Sequence, residues 1–270
     1  MSRILDAVAA GLEVYDLGRP LKTGMPSSPN HPGFRMALQR RHGDMVRADG
    51  SSAANEVIIT GGHVGTHMDA LAHVSYEGFL HGGVAVDEAM DAGRFAVHGA
   101  DTLPATLTRG VLLDVAAARG TDVLPAGYGI TREDLELAAK QAGVEVRAGD
   151  VVLVRSGWGR RWDDAAAYVG LGTGVPGPTE DAARWLADQG VRATGSDTIA
   201  YEQITAEAGH GLLPVHRLLL VERGVPILEI LDLEGVGAAG VHEFCLVLAP
   251  LNVVGGTGAP IRPLAVIDAG

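Results

Sequence analysis

The stretch Gly62–His73 reads G-H-V-G-T-H-M-D-A-L-A-H and contains three histidines, one aspartate and two glycines. It follows the β-branched run Val57–Thr60, which predicts a strand. If the extended backbone continues, His63, His67 and Asp69 share one face because side chains alternate in direction. A helix would also bring the two histidines together, but the glycines in and beside the segment make a helix costly.

Two imidazoles and one carboxylate form a ligand set for a divalent first-row metal ion. Gly65 has no side chain and would leave open space between His63 and His67. After Asp69 the apolar residues 70–72 follow, and His73 is left free as a candidate catalytic group. Isolated histidines are usually structural, but this density of histidine and aspartate favours a metal or catalytic site over an incidental grouping.

A second pair of candidate ligands lies late in the chain. His216 precedes a predicted helix, and Glu229 lies inside the apolar segment 225–231, which predicts a strand. A carboxylate in an apolar strand is costly unless it is paired or bound to a metal ion, although alternation can also point it outward. The remaining histidines have no clustered partners in the sequence and are expected at structural, surface or loop positions: His31, His42, His81, His98, His210 and His242.

Composition limits the classes of function. The chain has 270 residues, of which 47% are hydrophobic and 20% charged, and its formal net charge is −12. This charge argues against a nucleic-acid or anionic-membrane surface, because both require basic patches. No long apolar span is present, so a cytoplasmic protein is expected. Cys245 is the single cysteine, and its apolar neighbours 244–248 predict a buried, inert side chain.

The pattern of elements predicts an α/β fold with a mixed sheet and flanking helices, organised as one domain over residues 1–270. Buried strands are predicted at 111–115 and 151–154, and capped helices at 131–142 and 179–189. The segment 157–178 is rich in glycine and predicts a long loop. Trp158 and Trp162 lie in it and can line a substrate pocket, although core packing explains them equally well.

The segment H-V-G-T-H-M-D at 63–69 resembles the H-x-G-T-H-x-D signature of the cyclase family, which includes bacterial kynurenine formamidase and isatin hydrolase. The similarity continues through P-V-H-R-L-L at 214–219 and V-P-I-L-E-I-L-D-L at 225–233. One departure concerns residues 70–72: the formamidase motif carries a proline near this point, whereas this chain has Ala-Leu-Ala. The chain therefore resembles a different branch of the family.

This resemblance implies a swivelling β/β/α fold and a homodimer or homotetramer. It also implies one or two Zn²⁺ or Mn²⁺ ions per chain, with Asp69 bridging if two ions bind. His73 would be the general acid and base. The metal ligands implied by the resemblance are His63, His67, Asp69, His216 and Glu229.

The predicted function is therefore a metal-dependent hydrolase that cleaves a C–N amide, cyclic amide or lactone bond of a small substrate. Three alternatives remain open from the sequence. Two histidines and one carboxylate also form the facial triad of non-haem iron oxygenases. A polarised carbonyl beside one histidine equally serves a metal-dependent lyase or cyclase. A non-catalytic metal-binding protein is the third alternative.

Overall fold

A computed structural model describes residues 3–269 of the chain. Its strands are β1 (Leu12–Asp16), β2 (Arg35–Arg40), β3 (Asn55–Ile59), β4 (His67–Asp69), β5 (Met90–Asp91), β6 (Arg94–Phe95), β7 (Thr106–Asp114), β8 (Gly129–Ile130), β9 (Val151–Arg155), β10 (Gly177–Pro178), β11 (Ala193–Ser196), β12 (Ile227–Glu229), β13 (Glu243–Leu248), β14 (Gly258–Pro260) and β15 (Leu264–Asp268).

The helices of the described residues are mostly short. The α-helices are α1 (Arg3–Ala10), α2 (Val86–Ala89), α3 (Val115–Ala118), α4 (Arg132–Ala142), α5 (Ala165–Val169), α6 (Glu180–Asp188), α7 (Pro214–His216) and α8 (Glu234–Ala238). Helix α7 continues as a π-helix over Arg217–Arg223. Single 3₁₀ turns lie at Leu71–His73, His81–Gly83, Ala100–Thr102, Trp158–Arg161 and Gly209–Gly211. None of the helices within residues 3–269 has the length and apolar character needed to cross a membrane.

One nine-stranded sheet organises the structure, with the strand order β1-β15-β13-β7-β9-β11-β12-β4-β14. The four central strands from β7 to β12 run parallel to one another, and the outer strands pair antiparallel on both sides. The structure therefore confirms the predicted α/β class with a mixed sheet. The single domain predicted for residues 1–270 stays a prediction, which the pairing of the early strand β1 with the late strand β15 supports.

Alternating side chains of the parallel strands bury both faces of this sheet. On one face, Val111, Leu113 and Val152 pack against helices α4 and α6 and the π-helix. On the opposite face, Leu112 and Leu153 pack against side chains from β13, β15 and α8. Strands buried on both faces read as continuous apolar runs, which is why their positions could be predicted from the sequence.

Helix α4 confirms the predicted capping box. The hydroxyl of Thr131 accepts a hydrogen bond from the backbone N–H of Asp134, whose carboxylate accepts one from the N–H of Thr131. Gly143 ends the helix in the left-handed conformation that glycine adopts readily. Thr179 behaves differently from its prediction, because its hydroxyl donates to the Ile130 carbonyl and caps no helical N–H.

Two predictions are wrong in detail. Segment 157–178 is not a structureless loop, because it contains a 3₁₀ turn, helix α5 and strand β10. Cys245 is exposed, whereas its neighbours Phe244 and Leu246 are buried. Side chains alternate in direction along strand β13, and every second side chain of its apolar run is less buried than its neighbours.

Candidate metal centre

Four of the five predicted ligands converge around the pairing of β4 with β12. His67 on β4 lies directly opposite Glu229 on β12, and Asp69 follows two residues after His67 on the same face. His216 reaches the same point from the end of α7. These four side chains form the inner cluster, and their exposed fractions lie between 0% and 5%.

Within the inner cluster, the ring nitrogens of the two histidines lie close to the carboxylate oxygens of Asp69 and Glu229. His67 Nε2 lies 3.4 Å from an oxygen of Asp69 and 3.4 Å from an oxygen of Glu229. His216 Nε2 lies 3.1 Å from Glu229 Oε1 and 3.6 Å from Asp69 Oδ2. Two imidazole nitrogens therefore face two carboxylates across a buried space. Glu229 therefore points into the core, and the alternative that it points outward is wrong.

His63 reaches Asp69 by a turn and not by an extended strand. Strand β4 begins only at His67, and Gly65 adopts a positive φ of 70° between the two histidines. The side chain of Leu21 occupies the position that a Cβ at residue 65 would need. Gly65 is therefore required for the turn and for the approach of Leu21, and the predicted open space between the imidazoles is wrong.

A second group of rings, the outer cluster, consists of His31, His63 and His73. The ring centroids of His63 and His73 are 3.9 Å apart, and those of His31 and His63 are 5.2 Å apart. His63 Nδ1 lies 2.7 Å from Asp69 Oδ1, and its Nε2 lies 2.9 Å from the hydroxyl of Thr257. The rings of His31 and His73 form no hydrogen bond with the described residues. All three residues are more exposed than the inner cluster.

Asp69 connects the two clusters. In the part of the chain that the structure describes, potential ligand atoms of His63, Asp69 and His73 lie within 4.8 Å of one another, and so do those of His67, Asp69 and Glu229. The carboxylate of Asp69 therefore belongs to both sets.

The carboxylate oxygens of Asp69 indicate whether a metal ion fits this site. Its Oδ2 is buried and has no hydrogen-bond partner among the described residues, which is costly for a carboxylate oxygen unless a cation binds it. Burial alone would raise the pKa of Asp69, but the surrounding rings of His73, His216, His63 and His67 hold it well below its usual range. The carboxylate is thus ionised and open to a cation, and the nitrogen and oxygen donors fit a divalent ion.

The pKa values of His67 and His216 are shifted in the opposite direction from the pKa of His73. Burial lowers the pKa of His67, but the hydrogen bond with Asp69 and the charges of Asp69 and Glu229 outweigh it and raise the pKa to about 9. The pKa of His216 is likewise raised well above its usual value, because Asp69, Glu202 and Glu229 outweigh its burial. Burial, reinforced by the rings of His63 and His216, lowers the pKa of His73 to about 3.

Three residues near the site had not been identified from the sequence. His31 was expected to have no clustered partner, yet its ring stacks on His63. Glu202 is buried and lies 2.7 Å from His216 Nδ1, and Thr257 contacts His63. Glu202 and His31 lie in irregular segments with no recognisable pattern around them. Thr257 lies in the glycine-rich segment 255–260, far from the histidine motif in the sequence.

Trp158 lies in a packed environment. Its indole N–H donates to the carbonyl of Tyr168 at 2.8 Å, and the guanidinium of Arg161 lies 4.5 Å from its ring centroid. The side chain belongs to a buried cluster with Trp162 and Tyr168. Its polar atom is therefore used within the protein, and its predicted contact with substrate stays a prediction.

Residues 15–203 match the family model described as "Putative cyclase". Isatin hydrolase from Roseibium aggregatum is 32% identical over 126 residues, which are 46% of this chain and 47% of that protein. The chain thus matches about half the length of that relative. Cyclase-like protein 2 from Arabidopsis thaliana is 29% identical over 93% of this chain and 78% of its own length.

Solved structures agree with these matches over nearly the whole chain. A crystal structure described as a novel cyclase superimposes with a TM-score of 0.84 and 28% identity, covering 97% of this chain and 92% of its own. Isatin hydrolase A from Ralstonia solanacearum superimposes with a TM-score of 0.75 and 26% identity, covering 99% and 98%. The family model alone spans more than half of the described chain, and this protein therefore belongs to the cyclase family.

Proposed function

We propose that this protein is a metal-dependent hydrolase that opens a C–N bond in a small amide or cyclic amide. The observation that carries the proposal is the buried Oδ2 of Asp69, which has no hydrogen-bond partner among the described residues and lies within the inner cluster, with the ring of His73 nearby. The relatives and solved structures support an enzyme with a hydrolase-like role and a divalent metal ion. Isatin is a cyclic amide, which supports this substrate class for the proposal.

The inner cluster would hold one ion through His67, Asp69, His216 and Glu229. Imidazole and carboxylate donors without a thiolate suit Zn²⁺ or Mn²⁺, and we propose one of these. When bound, such an ion polarises the substrate carbonyl and lowers the pKa of a water molecule towards ~7. Two histidines with two carboxylates also leave fewer open positions than an iron facial triad, which favours hydrolysis over oxygenase chemistry.

His73 would move the proton in this reaction. The ring of His73 forms no hydrogen bond with the described residues, so a ring nitrogen would be available to accept a proton from the attacking water. The oxygen–carbon bond forms, the carbon–nitrogen bond breaks, and the ring returns its proton to the departing nitrogen.

We propose that a second ion binds at His63 and Asp69. Three buried carboxylates, those of Asp69, Glu202 and Glu229, surround the site. Within residues 3–269 their ion pairs are formed with histidines, and a lysine or arginine takes part in none of them. Potential ligand atoms of His63 and Asp69 lie within 4.8 Å of one another and offer the second ion two donors, and Asp69 would be shared by the two ions.

Elemental analysis of wild type and Glu229→Ala tests the proposal. We expect about two ions per chain in the wild type and about one in the variant, with Glu136→Ala on the exposed face of α4 as a control that keeps both. In an anaerobic assay, the protein should hydrolyse members of a panel of aryl amides, cyclic amides and lactones. One ion or none, unaffected by Glu229→Ala, would contradict the proposal, as would turnover that depends on oxygen and Fe²⁺.

The oligomeric state stays a prediction. Strands β2 and β3 form a two-stranded ribbon whose residues are exposed on both faces, including Leu38, Val57, Ile58 and Ile59. An isolated ribbon with apolar side chains is marginally stable in water. This exposure supports the predicted homodimer or homotetramer.

A further inference from the structure

We propose that Glu202 is a positioning residue that orients the ring of His216 towards the metal ion. The inference rests on the proposed function, because it concerns how one of the proposed ligands is held. Glu202 follows β11 in an irregular segment and is 1% exposed. Nothing in the resemblance or the motif spacing indicates a role for this residue.

The carboxylate of Glu202 contacts both the ring and the backbone of His216. Its Oε1 accepts from Nδ1 of the ring at 2.7 Å and from the backbone N–H of His216 at 2.8 Å. Its Oε2 accepts from the backbone N–H of Val215 at 3.0 Å. One carboxylate therefore fixes the position of the main chain and the rotation of the ring that it carries.

This contact determines which ring nitrogen is free. Because both oxygens of Glu202 accept from backbone N–H groups, the hydrogen in its contact with His216 lies on Nδ1. In a neutral imidazole the other nitrogen, Nε2, then carries the lone pair, and it is this atom that faces Asp69 and Glu229. A carboxylate behind a ligating histidine also increases the basicity of the ring.

His67 provides an internal comparison. Its Nδ1 lies 2.8 Å from the carbonyl oxygen of Gly65, which orients the ring in the same sense but carries no charge. The two histidines of the inner cluster are thus held by different acceptors. We expect His216 to depend on a charged partner, whereas His67 depends on the local turn at Gly65.

The backbone around Glu202 is held in a costly conformation. Tyr201, directly before it, has a φ of 57°, a region in which non-glycine residues are uncommon. Its buried hydroxyl lies 2.9 Å from that of Thr194, and the side chain of Gln203 donates to the carbonyl of Gly127. The protein thus anchors both neighbours of Glu202, and such strain persists where the surrounding structure requires it.

Glu202→Gln tests the inference because it keeps the shape of the side chain and removes its charge. Affinities for Zn²⁺ and Mn²⁺ alone are measured by competition with a chromogenic chelator. We expect the variant to bind about 10–100-fold more weakly. In the Zn²⁺-loaded protein, long-range ¹H–¹⁵N spectra should show His216 protonated at Nδ1 in the wild type and a mixed or altered state in the variant.

Asp197→Asn is the matched control. Asp197 is also fully buried and accepts hydrogen bonds from the backbone N–H and the hydroxyl of Ser156. This substitution should lower the melting temperature and leave metal affinity unchanged. An equal loss of affinity in both variants would reflect general destabilisation and overturn the inference.

Two further outcomes separate the inference from the proposed function. A folded Glu202→Gln protein with wild-type affinity and an unchanged spectrum overturns the role of Glu202 and leaves the hydrolase proposal standing. A wild-type protein that binds neither ion overturns both. If Glu202→Gln does not fold, the wild-type spectrum still decides, because protonation of His216 at Nε2 in the Zn²⁺ form would contradict the inference.

Discussion

The inner and outer clusters meet at Asp69 but are built differently. The inner cluster comes from two paired strands and the end of a helix, and both of its histidines have their second ring nitrogen bonded to the protein. The outer cluster comes from turns and loops, and the rings of His31 and His73 stack without hydrogen bonds to the described residues. The residues of the inner cluster are therefore held in fixed positions, whereas in the proposed mechanism His73 of the outer cluster would move the proton.

The largest effect is expected where the two clusters share a residue. Asp69→Ala removes the one carboxylate common to both, so metal and activity should be lost together. We expect kcat/KM to fall on the order of 10³-fold or more, since the ion supplies several kcal/mol of transition-state stabilisation. Asp163→Ala, at an exposed surface pair with Lys22, is the matched control for elemental analysis and turnover. Full activity in Asp69→Ala would contradict the proposed mechanism.

His73→Ala tests the catalytic role of the outer cluster separately from metal binding by the inner cluster. We expect kcat to fall roughly 10²–10⁴-fold, the usual contribution of a general acid or base, while the ion of the inner cluster stays bound. His42→Ala, at an exposed site, should change neither quantity. If His73→Ala instead lost one ion per chain, His73 would be a ligand beside His63 and Asp69, which the 4.8 Å grouping also permits.

The smallest expected effect is a dependence of stability on pH, to which His67 and His73 contribute with opposite signs. In chelator-treated protein the raised pKa of His67 contributes stability that is complete below pH 6.5 and lost as the pH rises to about 9. The lowered pKa of His73 contributes stability above pH 6.5 that is lost as the pH falls towards 3. The melting temperature should therefore peak near pH 6.5.

The metal-loaded protein provides the comparison for this profile. A bound ion replaces the proton on His67, so the decline on the alkaline side should flatten when Zn²⁺ is added. A melting temperature of the metal-free protein that rises between pH 7 and 9 would show that protonation of the inner cluster does not stabilise the fold.

The local sequence determined several elements of the fold and the relative position of two site residues. The two-residue spacing of His67 and Asp69 places them on one face of any strand, and the capping pattern at Thr131 sets the start of α4. Continuous apolar runs predicted β7 and β9, because strands covered on both faces have no polar side. Each of these properties depends on neighbours within a few positions of the chain, so the sequence alone is sufficient to predict it.

Tertiary structure decided which distant residues complete the site. His63 meets Thr257 across 194 positions of sequence, and His67 meets Glu229 only because β4 pairs with β12 in a particular register. Glu202 lies in a segment without periodicity, so its contact with His216 has no local sequence signal. The exposure of Cys245 likewise depends on which face of β13 packs into the core. Burial and charge pairing arise from the packing of whole elements, and no short stretch of sequence contains that information.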